Sequence, residues 1–386
     1  MKQLRIIFIY ITNLFKMKNT FFLSVLIIFC LSIISEDSIS KSKSNKQTIV
    51  SIQDERFFIN GQLTYKGRQW NGYPIEGLLL NSRMVQGIFD DLNPETAGRW
   101  KYDDTQKWDA DRNTNEFVKA MDSWYEKGLL AFTVNLQGGS PLGYGNKGWI
   151  NSAIDPKGEL RPKYMSRLEK IINHANELGM VVILGIFYND QEDFLENNNA
   201  VLRGVDNVID WLFFKRYRNV LIEVNNECNL KYSNDILTPE RVPEVIKRIQ
   251  SRKKYGYRYL VGTSFSGGKI PTDNVVRAED FVLIHGNGVR DPAKITEMVS
   301  KIKSLSGYTP KPILFNEDDH FDFDKPSNNF VESVKSYVSW GYFDYRMKNE
   351  GYDYGFQSVP VNWEISSPRK IDFFNKLEEI TGGFKH

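Results

Sequence analysis

The feature that most constrains this chain is an eightfold alternation of short apolar runs with helical patterns. The apolar runs fall at 75–81, 129–135, 180–187, 219–225, 258–264, 280–286, 312–317 and 340–345, and their apolar residues stand consecutively rather than at every second position. Continuous apolarity is what a strand needs when both faces of its sheet are covered. Helical periodicity fills several of the gaps, at 114–128, 164–179, 238–252 and 328–339, and 370–380 closes the chain. Several of these stretches open on Thr or Asn and two end in Gly, as helix caps require. An open, doubly wound sheet would place a glycine-rich phosphate turn after its first strand, but Ser82-Arg83-Met84 stands there. The pattern therefore predicts an α/β fold, a (β/α)8 TIM barrel, as a single domain over residues 55–386. The segment 57–65, broken at Asn60-Gly61, predicts an N-terminal β-hairpin that caps the bottom of the barrel.

Ahead of the barrel, residues 1–40 read as a secretory signal peptide. The run 21–34 (FFLSVLIIFCLSII) follows a short cationic start at Met17-Lys18, and small residues at Ser35 and Ser40 offer cleavage points. Met17 makes as good a start as Met1. Residues 41–54 read as a polar linker. The expected location is secreted, periplasmic or on the cell surface, with membrane contact only through the signal or a lipid on Cys30. Ile28-Phe29 before that cysteine is a poor setting for lipidation. Of the two cysteines only Cys228 would survive processing, so no internal disulfide is expected.

Net charge excludes one class of partner. At +2 the chain generates no field suited to capturing nucleic acid. Its 13% aromatic content, with 8 Trp and 19 Tyr, suits both cores and sugar platforms.

Two strand ends carry a carboxylate in the same way. The fourth run ends in Asn225-Asn226-Glu227, and the seventh in Asn316-Glu317-Asp318-Asp319-His320. In a barrel the carboxyl ends of all strands face one pocket, whatever their separation along the chain. Glycosidic bond cleavage needs two such carboxyl groups: one protonates the leaving oxygen, and the other attacks the anomeric carbon or activates water.

An Asn-Glu ending the fourth strand and a Glu ending the seventh resemble the clan A glycoside hydrolases, the superfamily of the family 5 cellulases and mannanases. The resemblance covers residues 57 to about 382. It implies a retaining, double-displacement hydrolase acting on a poly- or oligosaccharide, with no cofactor, in which Glu227 is the acid/base and Glu317 the nucleophile. It further implies that Asn226 binds the sugar 2-hydroxyl, that His285 stands beside the nucleophile, and that Trp340 forms a sugar floor. Arg83 would steady the nucleophile, though the spacing around it is not the usual one.

Other residues are expected at the substrate. Asn135, Gln137 and Tyr188 sit where the second and third strands end. Trp149, with Trp100, Trp108 and Tyr144, lies in long loops where rings either stack on sugars or pin the loops down, and Asp90 and Asp91 are further hydroxyl partners. Asp318 and His320 are read as substrate contacts. The acidic run 318–324 also leaves open a metal-assisted hydrolase built on Asp318, Asp319 and His320. A non-catalytic glycan-binding barrel is the third reading. Glu223, which shares the facing of Glu227, is expected to pair with an arginine inside the barrel, and Cys228 to be a buried, inert thiol.

Overall fold

The computed structural model describes residues 47–145 and 147–384. The signal, the start at Met17, Cys30 and the first part of the linker, residues 41–46, lie outside these residues. Residues from Gln47 onward form one compact unit.

Eight parallel strands build its centre: β1 (Asn81–Arg83), β2 (Ala131–Asn135), β3 (Val181–Phe187), β4 (Val220–Asn225), β5 (Leu260–Gly262), β6 (Val282–His285), β7 (Ile313–Glu317) and β8 (Gly341–Tyr342). Six of them pair in the order β5-β4-β3-β2-β1-β8, and β6 pairs with β7. Main-chain bonds join these two groups at both seams. The Asp280 N–H donates to the Val261 carbonyl at 2.9 Å between β5 and β6. The Phe315 and Phe343 N–H groups donate to the Ser339 and Asp318 carbonyls at 2.9 and 3.0 Å between β7 and β8. The ring is thereby closed, as the alternation of runs predicted.

Every residue of β2, β3, β4, β6 and β7 is buried, which is why their sequences show no polar face. Eight helices surround them: α1 (Ala110–Glu126), α2 (Pro162–Leu178), α3 (Asn198–Lys215), α4 (Val242–Ser251), α5 (Asp273–Ala278), α6 (Ala293–Lys303), α7 (Asn329–Lys335) and α8 (Pro368–Thr381). In α2 the buried residues Leu168, Ile171, Ile172 and Ala175 recur at helical spacing. Burying each of its larger side chains contributes roughly 1.5–3 kcal/mol. Asp109, Asn197, Asn328 and Ser367 cap α1, α3, α7 and α8 with side-chain acceptors.

Two elements differ from the sequence expectation. The first barrel strand was expected at 75–81 but pairs only over 81–83. Before it the main chain is held by side chains, with the Leu79 N–H donating to Ser339 Oγ at 2.8 Å. The Asn81 amide donates to the Phe315 and Trp340 carbonyls at 3.0 and 3.1 Å. Gly341 permits this plug, since a Cβ there would meet Asn81 Oδ1 at 2.3 Å. The second difference is Val50–Gln53, expected in the linker, which forms a strand paired with Arg56–Ile59. The hairpin Arg56–Ile59 and Gln62–Leu63 turns at Asn60 and Gly61, both at positive φ. The Val50 N–H donates to the Arg218 carbonyl, just before β4 begins, so this small sheet covers the bottom of the barrel.

Candidate active site

At the opposite mouth, the strand ends bring Arg83, Glu227, His285 and Glu317 together. One side-chain atom each of Glu227, His285 and Glu317 lies within 4.8 Å of the other two. Arg83, wholly buried at the end of β1, places Nε 2.5 Å from Glu317 Oε2 and donates from Nη2 to Asn226 Oδ1 at 2.7 Å. Its Nη1 lies 3.9 Å from Glu223 Oε2, the interior arginine partner expected for that glutamate. Glu223 is further held by Ser264 Oγ at 2.6 Å and Asn316 Nδ2 at 3.3 Å.

The two candidate glutamates sit in different settings. Glu317 ends β7 with its side chain only 5% exposed, and Asn287 Nδ2 donates to its Oε1 at 2.6 Å. Glu227 stands two residues beyond β4 in a left-handed turn, φ 52°, and its side chain is 17% exposed. Its N–H donates to Ser264 Oγ at 2.9 Å, which fixes the turn. His285 Nδ1 lies 3.0 Å from Glu227 Oε1 and 3.6 Å from Glu317 Oε2, between the two carboxylates.

Burial and charge oppose each other here. Burial disfavours a charged Arg83, but Glu317 and Glu223 outweigh it and hold the guanidinium protonated. Burial likewise opposes a charged His285, and the carboxylates of Glu317 and Glu227 overcome it, so the imidazole titrates above its ordinary 6.5. Burial pushes Glu317 above 4.5 despite Arg83 and His285. Glu227 feels burial most strongly too, yet the His285 hydrogen bond and the charges of His285 and Arg83 bring it below 4.5. In the free site one proton is therefore held by His285 against an ionised Glu227.

Around this centre lie polar side chains with atoms that find no protein partner. They include both amide atoms of Asn135, Asn316 Oδ1 and His285 Nε2. Tyr188 is buried, with its hydroxyl 3.4 Å from Ser140 Oγ, and the charges of Glu317, Arg83 and Glu227 all reach it. Asn135 ends β2 and Tyr188 follows β3, as their strand positions implied, while Gln137 donates from Nε2 to Ser152 Oγ at 2.9 Å in the loop after β2.

Three expectations meet a different arrangement. Trp340 is fully buried: it stacks on Phe330 at 4.8 Å, and its indole N–H donates to Asp318 Oδ2 at 2.8 Å. Both the ring and its N–H are engaged inside the molecule, so it is not a sugar floor. Trp149 packs edge-on against Trp100 at 5.6 Å and is 5% exposed, while Trp100 donates to Asp91 at 2.7 Å. Asp91 also accepts from Thr96 and the Ile150 N–H, so this group ties the long loops to each other. Asp90 faces Arg167 at 3.4 Å.

Asp318, Asp319 and His320 diverge, and this removes the metal centre considered for them. Asp318 is buried against Trp340 and Asn329. Asp319 accepts from Tyr144 and the Gly288 N–H, and His320 Nδ1 faces the Val289 carbonyl at 3.4 Å. Burial pushes the Asp318 carboxyl up to about 8, and with both oxygens held by Asn329 and Trp340 inside the molecule it is not a substrate contact. Glu227, His285 and Glu317 are close enough to hold an ion, but Arg83 already supplies the cation at Glu317 Oε2. Cys228, next to Glu227 in the chain, is buried, and burial raises its thiol well above its ordinary value.

Sequence reasoning missed Asn287. Its only signal was its place two residues past His285, where the loop after a barrel strand begins.

No protein-family profile matches this chain, and neither does any curated protein sequence. Solved structures do match. A family 5 mannosidase from Rhizomucor miehei superposes with a TM-score of 0.53 at 11% identity, covering 86% of this chain and 98% of that one. A family 5 glycoside hydrolase from Bacteroides vulgatus gives 0.50 at 13% identity, over 86% and 70%. A second B. vulgatus protein, assigned as a glycoside hydrolase, gives 0.51 at 15% identity over 83% of this chain, which spans 60% of that protein's length. At these identities the likeness is one of fold, and the chain has the (β/α)8 barrel on which these glycoside hydrolases are built.

Proposed function

We propose that this chain is a retaining glycoside hydrolase in which Glu317 is the nucleophile and Glu227 the acid/base. The observation that carries the reading is the approach of the two carboxyl groups to within 4.8 Å at the barrel mouth. Double displacement uses carboxyl groups about 5–5.5 Å apart, whereas inversion leaves room for a water, at roughly 6.5–9.5 Å.

The surroundings support this division. Arg83 and Asn287 fix both oxygens of Glu317, aiming a charged carboxylate into the site. Glu227, less enclosed and beside His285, shares the proton that a leaving oxygen needs. Once Glu317 becomes an ester its negative charge is gone, the imidazole and Glu227 hold a proton less tightly, and Glu227 can accept one from water. The Asn226 carbonyl is engaged by Arg83, which leaves its amide NH2 to donate to a sugar hydroxyl. The solved neighbours are consistent with a carbohydrate substrate, and residues 17–40 with export of the chain.

Proton NMR of the first-formed sugar tests the mechanism. Retention of the anomeric configuration is expected, and inversion would overturn it. A 2-deoxy-2-fluoroglycosyl fluoride should leave its sugar on the peptide that contains Glu317.

A further inference from the structure

The loop after β2 does not stay above its own strand. Glycines 138, 139, 143, 145 and 148 all hold positive φ, and Ser140 does too, which lets the chain double back tightly. It is pinned to the segment after β8: Gln357 Nε2 donates to the Gly143 carbonyl at 3.0 Å, and the Val359 N–H to the Pro141 carbonyl at 2.9 Å. A Cβ on Gly143 would meet the Tyr345 ring at 3.1 Å.

Tyr144 stands at the end of this reach. Its ring packs edgewise on Phe343 at 5.8 Å and Tyr345 at 5.0 Å, both just past β8. Its hydroxyl donates to Asp319 Oδ2 at 2.9 Å, and Asp319 is fixed through its other oxygen by the Gly288 N–H at 2.8 Å. Asn287 Nδ2 donates both to the Tyr144 oxygen at 3.3 Å and to Glu317 Oε1 at 2.6 Å. A single amide nitrogen thus connects the tip of the β2 loop to the carboxylate on β7, so the loop passes the ends of β1 and β8 and walls the site on the Glu317 flank. The Glu227 flank is more open, as the exposures of the two side chains show: 17% against 5%.

In double displacement the glycone becomes attached to the nucleophile, while the leaving part of the chain departs from the side of the acid. Resting on the reading above, we infer that the Tyr144–Asp319–Asn287 bridge closes the glycone end of the cleft, so that the enzyme takes sugar from the non-reducing end of a chain. The terminal sugar meets the partly exposed Tyr144 ring, and its outer hydroxyls meet the Asp319 carboxylate and the Tyr144 oxygen.

The full-length protein is given pentasaccharides of β-1,4-glucose, β-1,3-glucose and β-1,4-mannose in two forms, free and with the non-reducing sugar blocked by a 4,6-ethylidene acetal. The expected result is stepwise release from the free form of at least one of them, and a rate on its blocked form lower by on the order of 10²-fold, the scale of a lost productive alignment. Tyr144→Ala should recover the blocked substrate by about tenfold, and Tyr144→Phe, which keeps the ring, should not. Equal cleavage of both forms by the native protein would overturn the closure. Recovery by neither or both variants would overturn the part given to the Tyr144 ring. Hydrolysis of none of the free pentasaccharides would count against the glycosidase reading itself, and this inference would go with it.

Discussion

The ends of β4 and β7 carry the same Asn-Glu dipeptide, yet the backbone presents the two glutamates in opposite ways. On β7 the glutamate is the last residue of the strand, buried, and gripped through both oxygens by Arg83 and Asn287. On β4 the strand stops at Asn225, and Glu227 sits in a left-handed turn that costs a non-glycine residue about 1–2 kcal/mol. Ser264 holds that turn, and His285 is the closest charged group to the carboxylate. The contrast teaches that role follows from what surrounds a carboxyl group: a carboxylate clasped by fixed donors is suited to attack, and one beside a titratable imidazole is suited to pass protons.

The largest expected effect breaks this comparison directly. Glu317→Ala should abolish turnover, and added azide should yield a glycosyl azide of inverted anomeric configuration. Glu227→Ala should lose about 10²–10⁴-fold on substrates with poor leaving groups. It should lose far less on activated aryl glycosides, and azide should then give the retained configuration. Identical azide products from both variants would mean that the two ends do not differ in role.

Next in size is Arg83. Arg83→Ala leaves Glu223 buried without its cation and Glu317 with His285 alone, and removing one partner of a buried pair costs about 3–5 kcal/mol. Chemical denaturation measures that loss. Arg83→Lys keeps the charge but not the fork that reaches Glu317, Asn226 and Glu223 at once, so it should fold and still lose activity. A fully active lysine variant would show that the clasp on the β7 side is dispensable.

Much of this was legible in the sequence, because eight buried strands leave a strong apolar record and strand ends converge whatever their spacing. Glu227 and Glu317 were found in that way, and Arg83 through the resemblance to the clan A enzymes. Trp340, taken from the resemblance as the eighth-strand tryptophan, was misread because such a residue looks the same in sequence whether it faces the pocket or the helices. Its facing was decided by Asp318, Phe330 and Phe373. Asp318 and His320, read as substrate contacts, belong to a run whose adjacent residues diverge at the strand end, as expected of a strand, and each found its own partner inside the molecule. Asn287 and the reach of the β2 loop depend on contacts between segments far apart in the chain, which no local pattern encodes.

The pH profile sharpens the comparison further. Activity needs Glu317 ionised and one proton on the His285–Glu227 pair. The acid limb should therefore lie above 4.5, the ordinary glutamate value that burial raises for Glu317. The alkaline limb should lie above 6.5, where the carboxylates hold the His285 proton. In His285→Gln Glu317 keeps Arg83 but loses the second cation that lowers it, so the acid limb should move up. The proton must then reside on Glu227 alone, so the alkaline limb should move down. Rates measured across pH should show the profile narrowing from both sides, and unchanged limbs would place the essential proton elsewhere.

The smallest effect concerns what lies behind the β7 end. Trp340→Phe keeps the stacking on Phe330 but removes the indole N–H from Asp318, which retains Asn329 as a donor. A buried acceptor that loses one of its donors costs about 1–3 kcal/mol, and burial already keeps Asp318 largely neutral at pH 7, so the loss should fall at the low end. Thermal unfolding should shift down by a few degrees, roughly as such a loss does in a domain of this size. Both kcat and KM should stay within about twofold of the native enzyme, since the ring does not reach the mouth and a twofold change is under 0.5 kcal/mol. A sugar floor would behave in the opposite way, with KM rising and stability held. The ratio of the two effects therefore reads out which way this tryptophan faces.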